Sequence, residues 1–400
     1  MVGASLACAL AQLAIRVAVI EAVPFDDRAQ PSYDERTTAL SHGTMRIFGG
    51  LGLWPELEPD VCPIRRIHVS ERGRFGVTRI DAAEQRVPAL GYVIANRALG
   101  RALNTHLAQR ESVRLICPGR LRELEADGET GRLVVTGPDG DRQRVAARLT
   151  VGADGASSVV REALGIGVRK VDYGQSALIA NVTPARPSRG QAFERFCGQR
   201  IVALLPVDGQ RYALIWSVPT DQARHLLSLD DAAFCAALQD DFGDRLGTFR
   251  RCGTRRAYPL ERVVARRDVS GRAVLIGNAA HSLHPVAGQG FNLGLRDVAM
   301  LADVIADAVQ AGADPGGAAA LERYTRARRA DQARVSEFTN GLIRLFGTDL
   351  PGLGSARSLG MLGLDVLPGA KRFLARRTMG ADVAWSRLAR GLPLSEEAHA

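Results

Sequence analysis

The 400-residue chain predicts an α/β fold with an inserted antiparallel sheet and a helical C-terminal region. Three observations carry that prediction. Turns that join apolar strands to helices through glycine recur near Gly3, Gly155 and Gly277 to Gly290. Over residues 64–89 and 171–267 the apolar positions fall in short alternating runs, the period of half-buried strands. From Ala318 onward an Arg-rich helical periodicity takes over.

Composition sets the outer bounds. A chain that is 46% hydrophobic and 24% charged is globular and long enough for two packed cores. No apolar run approaches the roughly 18 residues that span a bilayer, and no secretory leader precedes the first motif, so the expected location is cytoplasmic. Cys8, Cys62, Cys117, Cys197, Cys235 and Cys252 are scattered without a C-x-x-C pair, which predicts reduced thiols, no disulfide and no metal. The net charge of +9 admits an anionic membrane face or acidic ligands. The basic residues are nearly all arginine, with lysine only at Lys170 and Lys371, a skew that fits compositional bias. Aromatic and basic residues do not interleave as nucleic-acid binding requires, so no nucleic-acid partner is expected.

In chain order, Val2 to Leu13 reads as a small-residue apolar helix and Ile15 to Ile20 as a strand ending at Glu21. That is the second half of a dinucleotide-binding βαβ unit. Gly3 then stands as the last glycine of G-x-G-x-x-G, permitting close helix-to-strand packing, and Glu21 as the acid that takes ribose hydroxyls. The opening strand and first two glycines of such a unit are missing. The chain therefore reads as truncated, with two sheet edges exposed and cofactor retention weakened.

The charged loop Tyr33-Asp34-Glu35-Arg36 leads through Thr37 to Ser41 into a helix containing Met45 to Phe48. Ile67-His68-Val69 and Phe75-Gly76-Val77 read as strands of a second sheet. From Gly91 the sequence predicts a helix with Leu99, Leu103 and Leu107 on its apolar face and Asn96 as its cap. Two strands joined at Pro138-Asp139-Gly140 follow. Ala147 to Arg161 then repeats strand, glycine turn and helix, with Asp154 suited both to capping and to binding.

Four strand-like runs lie between Tyr173 and Trp216, where Tyr173, Phe193, Phe196 and Trp216 are expected as core aromatics before substrate contacts. After a helix near Asp230 to Phe242, a strand around Tyr258 to Leu260 returns the chain to the first domain, and a long helix covers Ala318 to Phe346. The tail alternates apolar and basic clusters: Leu350 to Leu353, Leu359 to Leu364 and Lys371 to Arg377. Two outcomes stand level for it, docking on an acidic membrane surface or partner subunit, and packing on the body.

The most informative stretch is Gly277 to Asp297. Glycine directly after the strand Ala273 to Ile276 lets backbone approach a ligand, and Asn278 offers a carbonyl oxygen to a ribose hydroxyl. Gly288-Gln289-Gly290 ahead of a helix leaves several N–H groups facing one point, where the helix dipole favours negative charge. By themselves these residues imply a phosphate-bearing cofactor with a polar ring.

The run Gly277-Asn278-Ala279-Ala280-His281-x-x-His284-Pro285-x-x-Gly288-Gln289-Gly290-x-Asn292-x-Gly294-x-x-Asp297 resembles the second FAD fingerprint of the class A flavoprotein aromatic hydroxylases, the p-hydroxybenzoate hydroxylase fold. Its variant is most similar to that of the ubiquinone-biosynthesis hydroxylases, the 2-polyprenyl-6-methoxyphenol hydroxylases especially. Asn278 stands where the wider family has Asp, and its amide still accepts from a ribose hydroxyl. Arg36 to Ser41 resembles the family's R-x-x-A-L-S segment, Arg97 and Asp154-Gly155 match two further family positions, and the likeness covers nearly the whole chain.

The resemblance implies a discontinuous Rossmann-like FAD-binding domain (1–63, 90–170 and 268–330), a substrate domain roofing the flavin (64–89 and 171–267) and a C-terminal helical region (331–400). It implies FAD as cofactor and NAD(P)H as co-substrate. A prenylated phenol would take one oxygen from O2, with other quinone-biosynthesis proteins or the inner membrane face as neighbours. The FAD contacts it implies are Gly3, Glu21, Arg36, Arg97, Asp154, Gly155, Gly277, Asn278, Gly288, Gln289, Gly290 and Asn292. His284, Pro285 and Gln289 would border the reactive face of the ring, where backbone N–H groups polarise it. His281 and His284 are candidates for the phenol base by chemistry alone, and a histidine in such a loop is more often structural. Two other readings remain: the same fold with another redox outcome, and a flavin-poor scaffold subunit.

Overall fold

The computed structural model describes residues 1–24, 36–137, 139–348, 350, 352–380 and 386–395. Tyr33, Asp34, Glu35, Pro138 and Pro351, which belong to predicted loops, lie outside the described residues.

The chain opens with α1 (Val2–Leu10), buried from Ser5 to Leu10, and β1 (Val17–Ile20). β2 (Thr37–Ser41), α2 (His42–Gly50), α3 (Trp54–Leu57) and β3 (Val61–Ile64) follow. The Ser41 hydroxyl caps α2 by accepting from the Thr44 N–H at 3.2 Å. β4 (Arg66–Glu71) and β5 (Val77–Asp81) pair antiparallel, and β6 (Gly91–Ala95) pairs antiparallel with both β2 and β3.

β6 corrects the predicted helix start. The run Tyr92-Val93-Ile94 is aromatic and β-branched, and flanking strands on both sides take its backbone groups, so it extends. α4 (Asn96–Ala108) begins only after it, with Ala95 at the cap position and no side-chain cap. Asn96 is inside the first turn and buried, its Oδ1 accepting from Thr38 Oγ1 at 2.7 Å; it fastens helix to strand and is not the cap.

β7 (Val113–Ile116), β8 (Arg120–Glu125), β9 (Gly131–Thr136) and β10 (Arg142–Ala147) come next; β9 and β10 form the predicted hairpin, with β8 added on its far side. β11 (Thr150–Gly152) and α5 (Val159–Ala163) complete the second glycine turn. The long β12 (Val168–Pro184), β13 (Gln191–Cys197), β14 (Arg200–Pro206) and β15 (Tyr212–Pro219) lead to α6 (Thr220–Ser228) and α7 (Asp231–Phe242). Then follow β16 (Phe249–Cys252), β17 (Arg256–Ala265), β18 (Val269–Ser270), β19 (Ala273–Leu275) and β20 (His281–Ser282). α8 (Gln289–Gln310), α9 (Ala318–Gly347), α10 (Leu353–Val366) and α11 (Pro368–Thr378) close the chain.

Two separate ribbons pair in parallel, β1 with β7 and β11 with β19, the second edged by antiparallel β18, and a third parallel pair lies within the large sheet. The nine-stranded sheet has the order β20-β17-β12-β15-β14-β13-β4-β5, with β16 also on β12. It is antiparallel except where β4 lies parallel to β13, so the sequence-distant hairpin at 66–81 extends it. Its core holds Trp216 and Phe193 against α6 and α7, while α1, α2, α4 and α8 share the other main core. Phe193, Phe196 and Trp216 are buried as expected; Tyr173 is not, and it reappears at the site.

The tail packs by its inner face. Met361 carbonyl accepts from Thr78 Oγ1 at 2.9 Å, Arg357 is buried against Glu71, and Ala375 and Met379 pack with Ile80, Ala82 and Leu90. Among the described residues no helix is long and apolar enough to cross a membrane.

Candidate active site

Three turns meet at the start of α1. Val2 is wedged between two glycines: a Cβ on Gly277 would stand 3.1 Å from Val2 Cγ1, and one on Gly294 3.1 Å from Val2 Cγ2. Gly3 faces the turn after β11, where its Cβ would come 3.2 Å from that of Ala153. The carboxyl ends of β11 and β19 thus come together at one helix N-terminus, the place where open α/β sheets bind ligands. Glu21 closes β1 beside it. Its N–H donates to Ile116 carbonyl at 3.1 Å and its Oε1 accepts from the Val23 N–H at 3.1 Å.

After β19 the chain makes a tight turn with Gly277 at φ +57°, which favours glycine, and leaves Asn278 exposed. β20 then ties the loop to the larger sheet, His281 opposite Val264 and Ser282 opposite Val263. His284 is buried. Its Nδ1 accepts from the Val286 N–H at 3.2 Å, so Nε2 carries the proton and faces Gln175 Oε1 at 3.3 Å. Burial pulls its pKa down to about 4, and the ring stays neutral with its one lone pair already used. His281 is turned away, its Nε2 2.6 Å from Asp297 Oδ2. Burial acts to lower its pKa, but the Asp297 carboxylate outweighs this and the net shift is upward. Both candidate bases are thus engaged by the fold.

α8 starts one residue after Gly288, so Gln289 and Gly290 lie inside its first turn and not ahead of it. Gly288 is left-handed at φ 60° and has no side chain with which to cap. A Cβ built on Gly290 would meet no atom within 4 Å, in contrast to those on Gly277 and Gly288. Asn292 has the opposite character. Its Oδ1 accepts from the Ser41 N–H (2.8 Å) and Thr44 Oγ1 (2.7 Å), and its Nδ2 donates to the carbonyls of Ala39 (2.9 Å) and Gly288 (2.7 Å). That uses every donor and lone pair of the amide. Gln289 is buried and its Nε2 donates to Thr378 carbonyl at 3.4 Å, while Gly43 N–H donates to Met379 carbonyl at 2.9 Å. The end of α11 therefore lies over this turn.

A family model described as FAD binding domain matches residues 1–339. The chain belongs to that family. Along its length it is 39% identical to the ubiquinone hydroxylase UbiL of Rhodospirillum rubrum, over 98% of this chain and 91% of that one. It is 33% identical to the 3-demethoxyubiquinol 3-hydroxylase of Escherichia coli, over 95% and 96%. Among solved structures, p-nitrophenol 4-monooxygenase PnpA of Pseudomonas putida superposes with a TM-score of 0.78 at 18% identity, over 96% of both chains, which shows the fold. By family, the chain is an FAD-dependent monooxygenase of the hydroxylase class.

The residues fit FAD. A Cβ on Gly290 would project into open space at the start of α8, and the first turns of both α1 and α8 lack a side-chain cap and leave N–H groups for an anion. Arg36 lies over the Tyr258 ring at 5.2 Å and its carbonyl accepts from Asn96 N–H, which sets the segment against α4. Arg97 is exposed in the first turn of α4. Asp154 accepts from the Ser158 hydroxyl at 2.5 Å and the Val160 N–H at 3.1 Å. Ser158 is the N-cap proper, so Asp154 supports the cap from one residue layer away. Gly155 beside it is at φ +89° with open space around it.

A cavity of about 230 Å³ opens next to His284, lined in part by Tyr173, Gln175, Gln199, Ile201, Ile343 and Phe346. Tyr173 lies within the irregularity in β12 between Asp172 and Gln175, and its ring meets His284 edge-on at 5.2 Å. The loop, the bulge and the end of α9 converge there.

Sequence reasoning missed the buried charge cluster beneath the loop. Asp297 Oδ2 accepts from Gly277 N–H at 3.0 Å and its Oδ1 from Arg328 Nε at 2.8 Å and Gln332 Nε2 at 3.2 Å. Arg328 also holds Asp331, which pairs with Arg296. Burial would raise the Asp297 carboxyl, yet His281 and Arg328 hold it well below the usual range; Asp268, buried with Asp297 near it, is pushed up to about 6. A signal was present: Leu321, Tyr324, Arg328, Asp331 and Val335 follow one three-four spacing, which puts Arg and Asp on the buried stripe of α9.

Proposed function

We propose that the chain hydroxylates a prenylated phenol of ubiquinone biosynthesis, a 2-polyprenyl-6-methoxyphenol-type substrate, using FAD, NAD(P)H and O2. The observation that supports the reading is the start of α8, where uncapped N–H groups and open space at Gly290 leave room for the ring of a bound flavin. The names of the relatives, a ubiquinone hydroxylase and a 3-demethoxyubiquinol 3-hydroxylase, support the substrate class. In this reading 1–63, 90–170 and 268–330 form the FAD-binding domain, 64–89 and 171–267 the substrate domain, and 331–400 the helical region.

Bound FAD supplies the electron transfer from NAD(P)H and the activation of O2. The chain binds, orients and excludes water. Glu21 and Asn278 take ribose hydroxyls, and the N-terminus of α1 faces the pyrophosphate, with Gly3 and Gly155 keeping its approach clear. Arg36 and Arg97 lie along the cofactor, and Asp154 steadies the turn that carries Gly155. The Gly288 N–H donates to Pro285 carbonyl at 2.9 Å and fixes the turn, while the N–H groups of Gln289 and Gly290 at the start of α8 would face the ring carbonyl of a bound flavin and favour negative charge there. Pro285 borders the ring, and neutral His284 joins the loop to Gln175 of the roofing sheet. Asn292 acts through the shape of the turn. The phenol enters the cavity at Tyr173, whose hydroxyl partial burial shifts above its ordinary pKa. The protein works in the cytoplasm at the inner membrane face.

Gly290→Leu tests the reading. The expected product is a folded, colourless protein with unchanged circular dichroism; a yellow, fully loaded variant would overturn it. For the substrate, incubation of the native chain with a prenylated phenol, NAD(P)H and labelled O2 should give a product carrying one label. Reduced cofactor consumed without label incorporation would favour another redox outcome, and a purified chain without flavin would favour the scaffold.

A further inference from the structure

Among the described residues, seven of the twelve exposed large apolar side chains fall between Leu345 and Phe373. Such clustering is unusual, because single exposed apolar residues scatter over a surface while patches mark contacts. In α10, Leu359, Leu362 and Val366 recur at i, i+3 and i+7 and so share one face; Leu359 and Val366 are 62% and 66% exposed. Leu367 and Phe373 continue the patch into α11, at 59% and 62% exposed. Phe75, 66% exposed, joins it across the sheet hairpin, where Gly76 packs on the backbone of Ser358.

The charge around these residues is mostly basic, with Glu84 paired to Lys371 at the edge. From Leu353 to Thr378 the chain has five basic residues and one acidic. The acid, Asp365, is taken by Arg79 and Lys371, and buried Arg357 is taken by Glu71. Arg372 and Arg376 are exposed beside Phe373, and half-buried Arg377 lies over the Phe373 ring at 5.8 Å. Leucine, valine and phenylalanine flanked by arginine on an exposed helical corner match an interface where acyl chains meet anionic headgroups. A protein partner of this size would need acids set among its own apolar groups; a bilayer supplies both at once.

We propose that the corner formed by α10 and α11 docks on an anionic lipid bilayer, inserting Leu359, Leu362, Val366, Leu367 and Phe373 among the acyl chains. The proposal deepens the reading of the chain as an enzyme at the membrane face. It also has a route to the site: the end of α11 holds Gly43 through Met379 carbonyl and Gln289 through Thr378 carbonyl. A lipid-soluble substrate would then be met by a body anchored beside its solvent.

Flotation of the full chain with vesicles tests this. Vesicles of phosphatidylcholine with roughly one part in four phosphatidylglycerol should carry the protein up, pure phosphatidylcholine much less, and added salt should weaken the binding. The triple variant Leu359→Glu, Val366→Glu, Phe373→Glu should lose at least about tenfold in partitioning with its melting temperature unchanged. Arg372→Ser, an exposed single change, should lower binding to the anionic vesicles alone. Equal flotation of the triple variant, or no flotation of the native chain, would overturn the proposal. So would a native dimer that the triple variant converts to monomer without any vesicle binding, since the face would then be a contact between copies. Flotation reads no turnover, so its failure leaves the hydroxylase reading standing, and failure of the product assay leaves flotation interpretable.

Discussion

The two turns at the ends of one loop treat the same residue in opposite ways. At the first, Gly277-Asn278, the asparagine is exposed; at the second, Gly288 to Asn292, all four hydrogen-bonding positions of the asparagine are filled by protein. Both asparagines resemble ligand contacts in sequence. The structure separates an amide available to a ligand from one that shapes the turn, with the open space at Gly290 as what that turn produces.

The largest expected effect comes from removing the floor under both turns. Asp297→Ala leaves His281 buried without its carboxylate and Arg328 with Asp331 alone, and should cost about 3–5 kcal/mol in urea unfolding. A loss below about 1 kcal/mol would show that the turns hold themselves. Asn292→Ala attacks only the second turn. It strands the Ser41 N–H, the Thr44 hydroxyl and two carbonyls, and about 3 kcal/mol should be lost together with flavin; a stable, loaded variant would erase the contrast with Asn278.

The middle of the loop gives a pH signature. The folded pKa of His284 is about 4 and its ordinary value 6.5, so below pH 6.5 the unfolded chain binds the proton that the folded one refuses. Stability present above pH 6.5 is therefore lost as pH falls toward 4, by about 3 kcal/mol in full. His68, also drawn down to about 4, adds a slope of the same sign, so the His284→Asn variant isolates the loop's share by difference. Parallel curves for variant and native protein would remove His284 from the account. The smallest effect belongs to Asn278→Ala: stability should stay within about 0.5 kcal/mol, while FAD binding weakens roughly five- to tenfold, the worth of one hydrogen bond. Equal affinity by flavin fluorescence titration would leave the first turn without its ribose contact.

Much of this was legible in the chain itself. The strand, turn and helix at 273–310 follow from periodicity and glycine placement, as do the sheet at 168–219 and the helix at 318–347. What escaped depended on partners far away in sequence. Asn292 is filled by residues some 250 positions earlier, and nothing local distinguishes it from Asn278. Arg328 looks like one more solvated arginine until its position on the apolar stripe is counted. The strand Gly91 to Ala95 was absorbed into the helix after it because the leucine repeat of α4 dominates the window, although Tyr92-Val93-Ile94 favoured extension.

α8 is gripped near both ends by the last part of the chain. Thr378 carbonyl holds Gln289 in its first turn, and Arg387 reaches Asp303 and Asp307 further along, its N–H donating to Asp303 Oδ2 at 3.1 Å. During synthesis these fastenings cannot form until residues 378 to 387 have left the ribosome. The fastening of α8 at Gln289 is therefore completed only after both glycine turns have been made.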